Sequence, residues 1–403
     1  MSPFNFMEKL LDGVEVEWTA LGTVSNILRG RRLTKIQLSD SEKFPVFHGG
    51  LDPLGYYGQG NRPANTVMII NVGASAGTVG YSVVDFWSSD GCFCIEHNDS
   101  LNNRFLYYAL IGHQQLLRSR VRVAGIPTLD AIVVEKLQIP IPCPENPKKS
   151  LEIQSEIVRI LDAFTELTAE LTAELTARKK QYHYYRDQLL SFEDGEVEWK
   201  TLGEVTLPTS NIRWRDTDRS YRYIDLTSVS RENNTIIETS EITAKNAPSR
   251  AQKLVEKDDI IFATTRPTQL RLSLINEEYS GEVASTGYCV LRAKSDVILP
   301  KWIYYHLLSS EFGNYVEENQ IGAAYPAISD TKVKEFKMPI PYPNDPEKSL
   351  AEQASIVTIL DKFDALTNSI SEGLPREIEL RQKQYEHYRD LLLSFSKPEE
   401  VGA

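Results

Sequence analysis

Clusters of arginine set among aromatic residues are the side chains in this chain best suited to recognition chemistry. Arg29, Arg31, Arg32 and Lys35 fall within R-G-R-R-L-T-K, and Arg118, Arg120 and Arg122 alternate in R-S-R-V-R. Further on, Arg213, Arg215, Arg219 and Arg222 interleave with Trp214, Tyr221 and Tyr223, and Arg266 follows Thr264-Thr265. A guanidinium is a planar fork of donors that fits phosphate or the O6/N7 edge of guanine, and Thr, Gln and Asn add further contacts. The competing reading of each cluster is a solvated charged surface; their concentration in loops favours binding. Bond-making chemistry finds no comparable set. Gly73-x-Ser75-x-Gly77 has the spacing of a nucleophile elbow, but no triad accompanies it. The six histidines (His48, His97, His113, His183, His306 and His387) show no metal-ligand spacing. Neither a G-x-x-x-x-G-K-[ST] phosphate loop nor an Asn-Pro-Pro-Tyr motif occurs. This chain is expected to bind rather than catalyse.

The elements that position these loops are written twice. L-Q-I-P-I-P-C-P-E-N-P-K-K-S from Leu137 returns as F-K-M-P-I-P-Y-P-N-D-P-E-K-S from Phe336, and R-K-K-Q-Y-H-Y-Y-R-D-Q-L-L-S-F returns as R-Q-K-Q-Y-E-H-Y-R-D-L-L-L-S-F. A third echo opens each half, D-G-V-E-V-E-W from Asp12 and D-G-E-V-E-W from Asp194. A period near 200 residues is too long for a solenoid and indicates two tandem copies of one module. Each copy reads as short strands broken by Gly and Asn, at 45–47, 67–73, 78–84 and 92–97 and again at 223–229, 259–265, 271–276 and 288–293. An aromatic helix follows from Phe105 or Trp302, then a Pro-containing turn (A-G-I-P-T-L-D or A-A-Y-P-A-I-S) and a strand ending in P-I-P. The frameworks match while the middle loops differ, which is what two different recognition surfaces require.

After Ser150, taken as the start with Glu152 and Glu156 following, the pattern becomes helical. Ile157, Leu161, Phe164, Leu171, Leu175, Tyr182, Tyr185 and Leu189 keep a heptad seam, with Thr168 and Arg178 at its weak places. A helix of about 43 residues is about 64 Å long. The second copy keeps Ile356, Leu360, Phe363, Ile370, Tyr385, Tyr388 and Leu392. The copies align at an offset of 199 before Thr168/Thr367 and 203 after Gln181/Gln384, so four residues are added near Gly373 and Pro375. The insertion reads either as a stutter or as a break and restart. In the first helix, Thr168, Ala169, Glu170, Leu171 and Thr172, Ala173, Glu174, Leu175 repeat one tetrapeptide. Each such unit lengthens a helix by about 6 Å and rotates the residues beyond it by about 40°, which makes it a ruler.

Composition is consistent with this layout. Hydrophobic content of 41% and charged content of 25% are those of an ordinary globular protein. Neither a span of 18 apolar residues nor a signal-peptide pattern occurs, and Cys92, Cys94, Cys143 and Cys289 read as reduced structural thiols of a cytoplasmic protein. The net charge of −12 argues against nucleic acid until it is divided by segment. Residues 18–140 hold 11 Lys+Arg against 9 Asp+Glu, and residues 199–338 hold 18 against 19. All the excess acid lies in the helices and their flanks, leaving neutral globular parts free to present basic faces.

These residues resemble the specificity subunit of type I restriction–modification enzymes, nearest its IC branch. The resemblance rests on I-Q-S-E-I-V-R-I-L-D-A-F and E-Q-A-S-I-V-T-I-L-D-K-F after P-I-P, on the T-A-E-L units, on the two Q-Y-x-x-Y-R-D segments, and on Gly73 to Tyr81. It covers essentially the whole chain. One departure is the N-P-x-K-S or D-P-x-K-S insertion before each helix. The resemblance implies an α+β protein with two target-recognition domains, each reading one half of a split asymmetric DNA site. It implies two long antiparallel coiled-coil helices with pseudo-two-fold symmetry that set the gap. The domains are expected at 18–143 and 199–342, the repeated helices at 144–198 and 343–403, and an N-terminal flank at 1–17. The implied partners are double-stranded DNA, two methyltransferase (modification) subunits that carry S-adenosylmethionine and methylate adenine, and restriction subunits that use ATP and Mg²⁺. No cofactor or metal is expected in this chain. Two other readings remain: a coiled-coil adaptor that joins proteins without reading DNA, and an enzyme acting on DNA through an unrecognised site.

Overall fold

The computed structural model describes residues 13–193, 197–369 and 372–395. Asp194 of the opening echo and Ile370 of the second seam lie outside the described residues. Two compact units result, one made of the chain up to Ala169 together with the segment from Leu380, the other of Glu170–Glu379. Both are mixed α+β, and they repeat the same framework.

In the first unit, the strand Val16–Ala20 pairs antiparallel with Gln138–Pro142, Trp18 facing Pro140, so the opening echo and the P-I-P strand close the domain together. The main sheet runs Ser25–Arg29, Cys92–His97, Thr66–Ile70, Val79–Ser82, all antiparallel. Its inner strand T-V-M-I-I is buried along its whole length because both faces are covered. Val67 and Ile69 point into the main core with Phe105 and Leu106, while Met68 and Ile70 point into a smaller one with Phe47 and Phe86. The main core is completed by Ile153, Ile157 and Leu161 of the long helix Pro147–Leu189 and by Tyr385, Leu392 and Phe395 from the end of the chain.

The second unit repeats this. Val197–Thr201 pairs with Lys337–Pro341, Trp199 facing Pro339. The sheet runs Thr206–Leu207, Tyr288–Ala293, Ile260–Ala263, Leu272–Leu274. Ile260 and Phe262 enter one core, and Ile261 and Ala263 another. Tyr182 and Leu190 join Ile356, Val357 and Leu360 over the domain. A second sheet (Ser240–Ile242, Tyr221–Ile224, Val283–Ser285, Ala251–Leu254), whose two middle strands are parallel, replaces the small three-stranded sheet of the first unit. The frame is shared and the insertions differ.

Several local expectations are corrected. The long helix starts at Pro147, not Ser150: Asn146 caps it by accepting from Lys149 N at 3.1 Å, and Asp345 caps Pro346–Asn368 by accepting from Lys348 N at 3.1 Å. The N-P-x-K-S insertion is thus a polar N-cap followed by proline at the first helical position. At the far end of the helix the seam leaves Tyr185, which is exposed, and passes through Arg186, which is buried. Each aromatic helix is two helices, Asn103–Gly112 with Gln114–Ser119 and Pro300–Leu307 with Ser310–Asn319. In the second case Ser309 caps the restart by accepting from Phe312 N. The strand expected over 223–229 stops at Ile224, because the Asp225 carboxylate accepts from the backbone of Thr227 and Ser228 and folds the chain into a turn. The four-residue insertion is a break: one helix ends at Asn368 and the next, Gly373–Leu393, begins at a left-handed glycine (φ +74°).

Candidate nucleic-acid interface

Two polar clamps, one buried and one half-exposed, each present twice, hold the recognition frame to the long helices. Gln154 accepts from Asn102 N at 2.7 Å and donates to Ser100 O and Ser150 Oγ. Its counterpart Gln353 accepts from Leu299 N at 2.9 Å and donates to Val297 O and Ser349 Oγ. Both glutamines are fully buried, and these bonds run to the loop that starts the aromatic helix or to a serine one turn back. The second clamp is a carboxylate shared by a phenol and a cation. Asp162 accepts from Tyr108 Oη and from Arg104 Nε at 2.9 Å, and Asp361 accepts from Tyr305 Oη at 2.6 Å and Lys301 Nζ at 2.7 Å. Burial, with the carboxylate beside it, keeps both phenols protonated well above the ordinary tyrosine range. In Y-R-D, Arg186 and Arg389 each fork onto the next aspartate and lie over the ring of Tyr182 or Tyr385.

On this rigid frame the variable loops leave one end of each main sheet. In the first domain Arg29, Cys92, Ile70 and Val79 stand at that end. The Gly73–Gly77 loop joins two strands there, so the elbow spacing lies on a strand–turn–strand and not on the strand–turn–helix a nucleophile elbow needs. The Pro-containing turn is tied to this loop, with Gly73 N donating to Pro127 O and Leu129 N to Asn71 O, both at 2.9 Å. The second domain keeps the same ties: Arg266 N donates to Pro326 O at 2.7 Å and Ile328 N to Thr264 O at 2.9 Å. Hairpin loop and turn form one fixed ridge in both domains.

The arginines divide by what already occupies them. Arg29 donates to Asp90 O at 3.0 Å, Arg118 to Thr78 Oγ1 at 3.2 Å, and Arg122 pairs with Asp130 at 3.0 Å, so these brace the first ridge. Arg31, Arg32, Lys35 and Arg120 are exposed, with no side-chain partner among the described residues. In the second domain Arg219 binds Gly281 O, pairs with Glu282 and covers Tyr221, and Arg222 pairs with Glu278 over Tyr279. Those two stand at the N-terminal ends of the parallel strands Tyr221–Ile224 and Val283–Ser285. The C-terminal ends lead instead to Gly287, whose carbonyl takes Thr264 N, so Arg266 lies away from them. Arg215 pairs with Asp216 at 3.5 Å, while the Arg213 side chain, which is exposed, has no partner among the described residues. Arg250, absent from the sequence-based candidates, belongs with Arg213 and Arg266. Its carbonyl accepts from Thr286 N beside Gly287, and Ile212 N donates to Gln252 O two residues on. Nothing in P-S-R-A-Q marks it, because its place depends on strand pairing. The four cysteines are free, and no group of three or more His, Cys, Asp or Glu suited to a metal occurs among the described residues. No helix is long and apolar enough to cross a membrane among the described residues.

The family described as type I restriction modification DNA specificity domain matches this chain twice, over residues 14–178 and 196–380. The chain belongs to that family. Among relatives of this specificity family, the EcoR124I/EcoR124II specificity subunit of Escherichia coli is 39% identical across all of both chains. A putative type I restriction enzyme specificity subunit of Haemophilus influenzae is 30% identical over 97% of this chain and 98% of its own. The solved S subunit of a type I restriction–modification system from M. genitalium aligns with 96% of this chain and 98% of its own at a TM-score of 0.58. At 17% identity it supports the fold alone.

Proposed function

We propose that this chain is the non-catalytic DNA sequence-recognition subunit of a type I restriction–modification complex, each of its two domains reading one half of a bipartite asymmetric site. The observation that carries this is the contrast within the duplication. Gln154/Gln353, Asp162/Asp361 and the Y-R-D segments are kept in both copies, while the loops leaving the same sheet end differ. Equal frames with unequal loops suit two different DNA half-sites. Arg31, Arg32, Lys35 and Arg120 in the first domain, and Arg213, Arg250 and Arg266 in the second, are the side chains free to meet phosphate or base edges. The domains are taken as 18–143 and 199–342, with 144–198 and 343–403 as helical segments.

In this reading the helices dock two modification subunits, which bring S-adenosylmethionine and flip the target adenine, and restriction subunits add ATP- and Mg²⁺-dependent chemistry. Thr168–Leu175 sets the gap between half-sites, and the complex works in the cytoplasm. Exchange of residues 18–136 for those of another family member tests it. The first half-site changes and the second stays; a change in both would sink the modular reading.

A further inference from the structure

Both ridges end in large apolar side chains held out into solvent on a rigid turn. Ile126 is 70% exposed and its counterpart Tyr325 74% exposed, each immediately before the proline. The turns that carry them are closed by two backbone bonds, between Arg122 and Thr128 in the first domain and between Ile321 and Ala327 in the second. A single exposed apolar residue is ordinary, but each turn carries two, Val123 with Ile126 and Ile321 with Tyr325, and paired exposure on a braced turn marks a contact surface. In the second domain the residue behind the tip is also strained. Arg266 occupies the left-handed region (φ +51°) where the first domain has Gly73 (φ +87°), at the same hydrogen-bonded place. Arginine gains nothing from that backbone, and its guanidinium lies 5.7 Å from the Tyr325 ring centroid. A non-glycine residue kept where glycine fits marks a side chain with a task.

We propose that Tyr325 and Arg266 form one DNA-reading unit of the second domain, the ring stacking against a base step of the second half-site and the guanidinium fixing the ring while taking an adjacent guanine edge or phosphate. This rests on the reading of the chain as a DNA-recognition subunit. The choice of DNA over protein comes from the comparison of the two copies. Two identical partner subunits would meet the same side chain in each domain. Instead the position is kept and the residue varies: isoleucine with a glycine behind it, or tyrosine with an arginine. Two unlike half-sites call for that. Apolar side chains on turns are suited to wedge between base pairs, and aromatic rings stack on bases.

The test uses the complex of the full chain with its modification subunits and a duplex carrying the site found by methylation mapping, with 2-aminopurine placed in turn across the second half-site. Arg266→Gly is expected to leave the unfolding midpoint unchanged or raise it, since it relieves the backbone, yet to weaken duplex binding at least tenfold. Tyr325→Ala is expected to weaken binding similarly and to abolish the 2-aminopurine quenching at one position. Both variants should keep discrimination at the first half-site. Wild-type binding and quenching by both variants would overturn the proposal and leave the recognition role standing. Equal loss at both half-sites, a lowered midpoint for Arg266→Gly, or loss of the modification subunit from Tyr325→Ala would overturn it as well. A wild-type complex without any site preference would remove the recognition role, and the proposal with it.

Discussion

Gln353→Leu is the substitution from which the frame's energetics can be read most directly. The side chain is fully buried, accepts from Leu299 N, and donates to Val297 O and Ser349 Oγ. Leucine has nearly the same volume and supplies none of these partners. Leu299 N–H and Val297 C=O precede the helix Pro300–Leu307 and are left without partners. Unmet buried groups cost about 1–3 kcal/mol each, so a total of about 3 kcal/mol is expected. That corresponds to a fall of about 6–12 °C in the midpoint of a unit of this size. Hydrogen exchange on the purified complex reads the effect locally. Amides of residues 297–307 should exchange roughly 150-fold faster, since each 1.36 kcal/mol is a factor of ten. Residues 100–112, held by the intact Gln154, should not change. A destabilisation below about 0.5 kcal/mol, or equal acceleration in both domains, would refute the view that each glutamine locks its own domain.

Three further outcomes are expected. Deleting Thr172–Leu175 should shorten the gap between methylated half-sites without altering either sequence, as mapped by methylation sequencing; an unchanged gap removes the ruler. Burial holds His306 neutral, its pKa pushed down to about 3. The unfolded chain therefore binds a proton that the folded one refuses as pH falls below about 6.5, and stability drops by about 2 kcal/mol by pH 5. Urea unfolding at pH 7 and 5 should show that loss in the wild type and not in His306→Phe. Arg222→Ala should change duplex affinity less than about twofold and leave the unfolding midpoint essentially unmoved, because its guanidinium already serves an exposed ion pair with Glu278; calorimetry on the complex reads both.

The duplicated frame was legible because the same residues recur at fixed offsets, and packing requires them: Tyr182 and Tyr385 are buried at matching places. The helix break at Gly373 was legible as one of two alternatives, and the left-handed glycine decides it. What stayed hidden depends on contacts distant in sequence. Arg219 and Arg222 read as a recognition cluster, yet their partners Glu282 and Glu278 come from a segment about 60 residues away. Arg250 gives no local signal and reaches the ridge only through strand pairing. The Asp225 turn and the Ser309 cap are single side chains that override β and helix propensity over a few residues, and runs of apolar residues conceal such stops. Gln154 and Gln353 lay in plain view within the repeats, but only the structure shows that they bind the loop ahead of each aromatic helix.

In its proposed role this chain chooses the DNA sequence on which a partner acts. Co-expression with a cognate modification subunit, followed by sequencing of methylated adenines on co-resident DNA, tests it directly. A split asymmetric motif with a constant gap, absent when this chain is omitted, is the result predicted. Methylation unchanged by its omission, with the complex still forming, would contradict it and favour an adaptor that joins proteins without reading DNA.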